Sequence, residues 1–245
     1  MGKRLYVSVI YPARSTREIL TKKRTHQVVL NQRDVAAVWR SKSLTFESVC
    51  EWGLTRLFGM TVHGAKQMHN DPDGRGDMYE NQHRFWRDAL GPGEELNLIT
   101  MRFLEHLEAN IDSFEKALPK DNSGIEASLL PWTRDRIGVS ATNAIAGPNL
   151  LKIDPKIMEK LTQWESEFFL LALGLPRWAL KGPRDNLDDM INSWITLGLN
   201  PDMLPPLIER TQMVKAREAS DWDVAAANLS LWLGYVWIRL VVDTY

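Results

Sequence analysis

Cysteine is nearly absent from this sequence, and an excess of either charge is absent as well. Cys50 is the only cysteine among 245 residues, so no disulfide can form within the chain. A single thiol fits a reducing compartment without proving one. The formal net charge is -1, whereas a nucleic-acid-binding protein usually presents a concentrated basic face. We therefore expect no nucleic-acid partner, and we interpret the short basic patch TKKRTH at residues 21–26 as a solvated loop.

Long apolar runs and the common catalytic motifs are also missing from the sequence. The opening stretch MGKRLYVSVIYPARSTREIL contains basic residues but no sustained apolar segment. It therefore predicts neither a signal peptide nor an N-terminal membrane anchor. No P-loop, dinucleotide-binding fingerprint or nucleophile elbow is present.

Large aromatic side chains and short strand patterns are present instead. Tryptophan occurs 10 times, which indicates a core or a groove built from large flat side chains. Leu5, Val7 and Ile10 alternate loosely as in a strand, and residues 26–30 predict a second strand. Asn31 is placed to cap a short helix over RDVAAVW. The front of the chain therefore predicts a small β element followed by a helix.

The rest of the chain is predicted to be mostly helical. Three stretches place apolar residues at spacings of three and four, as an amphipathic helix does. Asp154 is placed to cap the second helix, and Gly198 to end the third. The predicted fold class is mainly α with a small N-terminal β element. The three stripes are Leu104, Leu107, Ile111, Phe114 and Leu118; Ile157, Leu161, Trp164, Phe168 and Leu171; and Leu187, Met190, Ile191, Trp194 and Ile195.

The last stretch, SDWDVAAANLSLWLGYVWIRLVVDTY, begins as a helix and changes character at Gly234. Ser220 and Asp223 have the spacing of a capping box, and three alanines follow. After Gly234 the residues are mainly β-branched and aromatic, so we expect the helix to break there and residues 235–245 to form a divergent apolar tail. A tail-anchored membrane protein that uses residues 225–242 as its span is an alternative, which Asn228 and Arg239 weaken.

Two motifs resemble metal or modification sites but have a simpler interpretation. DPDGRGDMYENQ at residues 71–82 resembles a calcium loop, yet Arg75 stands where a ligand oxygen belongs and Gln82 replaces the bidentate carboxylate. A polar loop is favoured. His63 and His69 lie near this loop without a tight ligand spacing, so surface histidines are favoured over a metal site. The glycosylation sequon at Asn228 falls within a predicted helix.

Four ordered segments together resemble one family, the haem-thiolate monooxygenases or cytochromes P-450. They are similar in turn to its front strand–helix–loop, its haem-edge helix, its central helix pair over the substrate cavity, and the first half of the long helix that crosses the haem. The segments resemble those of fungal members related to the sterol 7-alpha-hydroxylase and prostacyclin synthase branch. The segments are HQVVLNQRDVAAVWRSKSLTFE, NQHRFWRDALGPGEELNLITMRFLEHLE, SATNAIAGPNLLKIDPKIMEKLTQWESEFFLLALGLPRW and SDWDVAAANLSLW.

The resemblance covers about residues 6–233 and implies a partial cytochrome P-450 domain over residues 1–234. Members of this family insert one oxygen atom into lipophilic substrates, using haem iron and electrons from a reductase. They sit on the cytoplasmic face of the endoplasmic reticulum membrane. The resemblance places His83, Arg84 and Arg87 near a haem propionate, with His83 and Arg87 as the favoured donors.

The sequence also departs from the family pattern. It has no acid–threonine pair for oxygen activation, no Glu-x-x-Arg motif and no glycine-rich loop with an axial cysteine. Cys50 lies in FESVCEWG, without the setting that exposes a thiolate to iron, and is interpreted as a structural thiol. We therefore expect a truncated P-450-like chain that is inactive alone and binds haem weakly.

Two further expectations follow from this interpretation. An alternative to the inactive P-450-like chain is a binding or interaction protein. Such a protein would reuse the helical lobe to hold a lipid-like molecule or to pair with an intact relative. Helices that normally pack on the missing half, including the Leu161–Trp164–Phe168 face, are expected to leave apolar patches exposed. Marginal stability or reliance on a partner would follow.

Overall fold

The computed structural model divides the chain into two compact units, Met1–Phe46 and Glu47–Tyr245. Each unit is described by itself below. The residues that the structure describes are 6–9, 17–21, 24–29, 32–41, 47–72, 74–79, 81, 84, 87, 90–119, 126–172, 175 and 177–242.

The first unit contains a three-stranded sheet and one helix. Strand β3 (Arg24–Val29) is central; it runs parallel to β1 (Tyr6–Val9) and antiparallel to β2 (Arg17–Thr21). In this register Tyr6 lies opposite His26 and Arg17 lies opposite Val28. Helix α1 (Gln32–Arg40) follows the sheet and covers the RDVAAVW segment, as predicted.

The second unit is helical throughout its described elements, which confirms the prediction of a mainly α chain. A 3₁₀ turn, Arg177–Leu180, leads directly into the eighth helix. Helical backbone is also present at Met78, Tyr79, Asn81, Arg84, Arg87 and Leu90. The helices are α2 (Glu47–Arg56), α3 (Val62–Gln67), α4 (Glu94–Ala117), α5 (Leu129–Ala146), α6 (Asn149–Ile153), α7 (Ile157–Ala172), α8 (Lys181–Leu197), α9 (Pro205–Ala216) and α10 (Asp221–Val242).

Helix α10 is central to the second unit because it packs against α2, α5, α8 and α9. Its first half, from Val224 to Leu233, is fully buried, including the polar Asn228 and Ser230. Each has a hydrogen bond within the core: Thr211 donates to Asn228 Oδ1 at 3.2 Å, and Ser230 donates to the Ala227 carbonyl at 2.7 Å. Burial of polar side chains is tolerated when such partners exist.

The predicted break at Gly234 is wrong, since α10 continues through this residue to Val242. A glycine costs a helix only about 1 kcal/mol relative to alanine, which is too little to end a helix on its own. The predicted boundary between residues 234 and 235 therefore falls inside a continuous helix. Within the described residues, no helix has both the length and the apolarity needed to span a membrane.

The stripes predicted for α7 and α8 are largely confirmed. Ile157, Leu161, Trp164 and Leu171 are buried, as are Leu187, Met190, Ile191 and Trp194, while Ile195 lies at the edge of the core. Helix α8 ends where predicted, at Gly198, which has a φ of 59° and donates its backbone N–H to the Trp194 carbonyl at 3.1 Å. Glycine adopts this left-handed conformation without a Cβ penalty.

Asp154 caps α7 as predicted and also joins it to α8. Its Oδ1 atom accepts from the Lys156 backbone N–H at 3.1 Å. Its Oδ2 atom accepts from Lys160 Nζ at 2.9 Å and from the Ser193 hydroxyl at 3.0 Å. The carboxylate is buried but has donors on both oxygens, which offsets its lost hydration.

Two expectations about exposure are wrong. The Leu161–Trp164–Phe168 face is not left uncovered, because α7 packs against α2 and α8, and the Trp164 indole donates to the Leu57 carbonyl at 3.2 Å. On α4 the expected core residue Leu104 is 55% exposed, and Ile99 is the buried residue of that helix. Helix α4 packs chiefly against α5, so one neighbour covers only part of its apolar stripe.

Candidate functional site

The candidate site lies where Arg84 meets the first turns of α9. Arg84 Nη2 lies 3.6 Å from Glu209 Oε1, and Arg75 Nη1 lies 3.3 Å from the same oxygen atom. Arg75 belongs to the polar loop before Met78, whereas Glu209 belongs to α9. Three separate stretches of the chain therefore bring two guanidinium groups to one carboxylate.

A groove of about 430 Å³ runs beside this cluster. This volume is within the usual range of small-molecule sites. Its lining combines an apolar wall with charged and amide side chains. The described lining residues are Arg84, Glu95, Pro205, Pro206, Ile208, Glu209 and Gln212.

Of the three residues predicted near a haem propionate, the structure describes Arg84 and Arg87. His83 lies outside the described residues. Arg84 faces Glu209, as above, and Arg87 is exposed and is not among the described residues that line the groove. The groove residues Glu95, Glu209 and Gln212 were not predicted from the sequence, because nothing in their local spacing marks them. Arg75 could have been noticed in the sequence, because it is the one cation in the otherwise acidic loop of residues 71–82.

Cys50 has the environment of a structural thiol, as its sequence setting predicts. It is half-buried on α2 and packs against the hydrophobic core. Burial and, secondarily, the charge of Glu47 raise the pKa of the Cys50 thiol, while Arg210 opposes the shift. A raised pKa keeps the sulfur protonated near neutral pH, whereas iron ligation requires the thiolate.

Tyr79 lies in the same neighbourhood, and its phenol is also held in the neutral form. Burial, followed by the charge of Glu51, raises the pKa of Tyr79 far above its usual value. The hydroxyl donates to the Ala65 carbonyl at 2.9 Å. Both side chains are therefore held in the neutral form near neutral pH.

The residues of the calcium-like loop are engaged with one another. His69 Nδ1 lies 2.6 Å from Asp77 Oδ2, and the His69 ring packs on Tyr79 with ring centroids 4.7 Å apart. Asn81 donates to the carbonyls of Arg75 and Asp77 at 2.7 and 3.0 Å. Asp73 and Gln82 lie outside the described residues. Within the described part of the chain, no group of three or more His, Cys, Asp or Glu side chains is placed to hold a metal ion.

The sequon at Asn228 is inaccessible in the folded chain. Asn228 is buried within α10 and accepts a hydrogen bond from Thr211. A glycan needs an exposed asparagine, so the helical interpretation of this motif holds.

A second surface feature lies at the turn between α7 and α8. Phe169 is 78% exposed and Trp178 is 84% exposed, and Leu170 and Leu175 between them in the chain are exposed as well. Lys181, the first residue of α8, is exposed next to them in sequence. Large exposed apolar side chains mark an interaction surface where they form one contiguous patch.

Comparison of the chain with protein-family models, with characterised proteins and with solved structures gives no match. The likeness to the cytochromes P-450 therefore depends on the ordered sequence segments alone.

Proposed function

We propose that this chain forms the helical lobe of a P-450-like protein and that it does not activate oxygen by itself. The finer fold assignment, a P-450 arrangement with its small N-terminal β element, is part of this proposal. The ordered segments support it. A second support is that α10, which begins with the fourth of these segments, is a long helix whose residues 224–233 are buried.

The observation that carries the catalytic part of the proposal is the state of Cys50. Haem-thiolate chemistry uses an anionic sulfur that donates electron density to iron. The only thiol of this chain is half-buried, and its pKa is raised. Arg84, one of the candidate propionate donors, is already opposite a carboxylate. These side chains do not supply an axial ligand.

An assay of turnover tests this part of the proposal. The purified protein is mixed with haemin, a P-450 reductase, NADPH and a radiolabelled sterol or fatty acid. We expect no hydroxylated product above the level given by haemin and reductase alone. Product formation that depends on this protein would contradict the proposal.

A lipid-binding role is the second candidate, and the exposed patch at the α7–α8 turn favours it. Phe169 and Trp178 expose large apolar surface, and Trp is suited to a membrane interface because its ring is amphipathic. Lys181 adds a charge that anionic headgroups attract. We propose that this patch, composed of Phe169, Leu170, Leu175 and Trp178, contacts lipid.

Flotation with phosphatidylcholine–phosphatidylserine vesicles tests the lipid-binding role. Replacing Phe169 and Trp178 together by serine is expected to lower the vesicle-bound fraction by about tenfold, because two deeply inserted side chains are lost. Leu129→Ser is the matched control, since Leu129 is 76% exposed at the start of α5. An equal loss of vesicle binding in both proteins, or no binding by the unmodified chain, would count against this role.

A further inference from the structure

A groove of about 410 Å³ lies at the end of α8, where α6 packs against this helix. It is separate from the groove beside Arg84, because the two have no lining residue in common. Its volume is within the usual range of small-molecule sites. We call it the α6–α8 groove. Its described lining combines apolar side chains with one lysine and two asparagines, and it includes no acidic side chain.

The polar side chains of the α6–α8 groove have their acceptor atoms engaged, whereas most of their donors are not. Asn149 Oδ1 accepts from Lys152 Nζ at 3.2 Å, and Asn200 Oδ1 accepts from the Asp202 backbone N–H at 3.0 Å. In the described part of the chain, Lys152, Asn149 and Asn200 make no other side-chain hydrogen bond. Each asparagine therefore keeps its NH₂ group, and the ammonium group of Lys152 keeps two of its three donors.

These donors differ in how firmly the fold holds them. Asn200 is only 5% exposed, so its amide has a fixed position at the base of the groove. Lys152 is exposed on α6, and its charged end is open to a ligand from solvent. The groove therefore presents N–H donors and one positive charge, which is the complement of a small anion.

The apolar part of the groove indicates what else the ligand carries. Ile153 is 39% exposed and Leu199 is 45% exposed, and both line the groove together with Leu197 and Pro201. An aliphatic chain that lies over these side chains removes their apolar surface from water, which is favourable. A purely inorganic anion leaves that surface uncovered.

The end of α8 limits how much negative charge the groove accepts. Helix α8 has 17 residues and ends at Leu197, which lines the groove. The C-terminus of a helix carries partial negative charge, which offsets part of the charge of Lys152. A singly charged carboxylate therefore suits this groove better than a doubly charged phosphate monoester does.

We propose that the α6–α8 groove binds aliphatic monocarboxylates. The carboxylate accepts from Lys152 and from the asparagine amides, and the aliphatic chain lies over Ile153, Leu197 and Leu199. The site goes beyond the functions proposed above, because it involves no haem and lies at the far end of α8 from the exposed patch at the α7–α8 turn. A helix of this length separates the two by about 25 Å.

Calorimetric titration of the full chain with sodium octanoate at low ionic strength tests this site. Lys152→Met removes the charge and keeps most of the apolar stem, so we expect the Kd to rise at least about fivefold. Lys156→Met is the matched control. It removes the same charge four residues further on, at an exposed position that is not among the described lining residues, and it is expected to change the Kd less than about twofold.

The head group and the apolar wall are tested separately. Octylammonium has the same chain with the opposite charge, and we expect it to bind at least about tenfold more weakly than octanoate, because it meets Lys152 and a set of donors. Leu199→Ser is expected to raise the Kd for octanoate about threefold, because the chain loses part of its apolar contact. An unchanged circular dichroism spectrum checks that each variant is folded.

Three results would overturn the proposal. The first is no heat of binding with octanoate in the unmodified chain. The second is an equal loss of affinity in Lys152→Met and Lys156→Met. The third is octylammonium binding as tightly as octanoate. Tighter binding of octyl phosphate than of octanoate would contradict the preference for a single charge.

Discussion

At the scale of single residues, Asp223 shows how one buried carboxylate joins distant parts of the chain. Its Oδ1 accepts from the Thr61 backbone N–H at 2.7 Å, and its Oδ2 accepts from the hydroxyls of Thr61 and Ser220 at 3.0 and 2.7 Å. The Ser220 hydroxyl also accepts from the Asp223 backbone N–H at 3.1 Å, which confirms Ser220 as the predicted cap. A Cβ at position 64 would lie 2.3 Å from Asp223 Cγ, so glycine is needed there.

Replacing Asp223 by alanine is expected to lower the free energy of unfolding by about 3 kcal/mol, because a backbone N–H and two hydroxyls lose a buried acceptor. Asp221→Ala is the control, since Asp221 is exposed in the same first turn. The control should cost about 0.5 kcal/mol, the usual value of a charge near a helix N-terminus. Urea unfolding of both variants measures the difference. Similar losses in the two proteins would show that the Asp223 network is not a stabilising contact.

Glu165 gives the fold a dependence on pH. Burial raises the pKa of Glu165, while Arg134, whose Nη2 lies 3.5 Å from Oε2, opposes the shift. The folded state therefore holds this proton more tightly than the unfolded chain does. The stabilising contribution is fully present below the unfolded pKa and is lost as pH rises through the folded pKa.

Glu165→Gln is therefore expected to flatten the fall in unfolding free energy as the pH rises above the ordinary pKa of a glutamate, about 4.3. Urea unfolding at a series of pH values measures it, with the exposed Glu159→Gln on the same helix as the control. If the two variants show the same pH dependence as the unmodified protein, the burial of Glu165 does not affect stability.

At the scale of elements, two buried tryptophans link α8 and α10. Trp194 and Trp232 pack with ring centroids 6.1 Å apart, and both are almost fully buried. The Trp232 indole donates to the Thr142 hydroxyl of α5 at 3.1 Å. The Trp194 indole nitrogen has no hydrogen-bond partner in the described part of the chain.

Phenylalanine at these two positions is therefore expected to have unequal effects. Both changes remove similar apolar area, but Trp232→Phe also removes a buried hydrogen bond and leaves the Thr142 hydroxyl without this donor. We expect Trp232→Phe to lower the free energy of unfolding by about 1 kcal/mol more than Trp194→Phe. Denaturant unfolding measures the difference, and a larger loss for Trp194→Phe would contradict the hydrogen-bond account.

The features that could be predicted from the sequence are those that depend on residues close together in the chain. The stripes of α7 and α8, the Asp154 cap and the Gly198 terminus depend on residues within a turn or two, and they are present in the structure. The exposure of Leu104 could not be predicted, because it depends on how much of α4 the neighbouring helices cover. Glu209 could not be paired with Arg75 or Arg84 either, since they are far apart in the sequence.

At the scale of the whole molecule, α10 is the helix around which the core of the unit Glu47–Tyr245 is built. Helices α2, α5, α8 and α9 all pack on it. The apolar face of α7, expected to be exposed, is buried within the same core cluster. These contacts link four of the other eight described helices of Glu47–Tyr245 through one helix, so we infer that this unit behaves as one cooperative structure rather than as a partly covered half.

Thermal unfolding is therefore expected to be a single sharp transition for this unit. Far-UV circular dichroism and tryptophan fluorescence should give coincident curves, as two-state unfolding requires. A broad transition, or two curves that do not coincide, would favour the earlier expectation of marginal stability.

The spectrum of the reduced, carbon-monoxide-saturated protein after haemin titration tests the central claim most directly. Because the pKa of Cys50 is raised, we expect no red-shifted thiolate band, and we expect Cys50→Ser to give the same spectrum as the unmodified chain. A strong thiolate band that disappears in Cys50→Ser would contradict the claim that this chain lacks an iron-ligating sulfur.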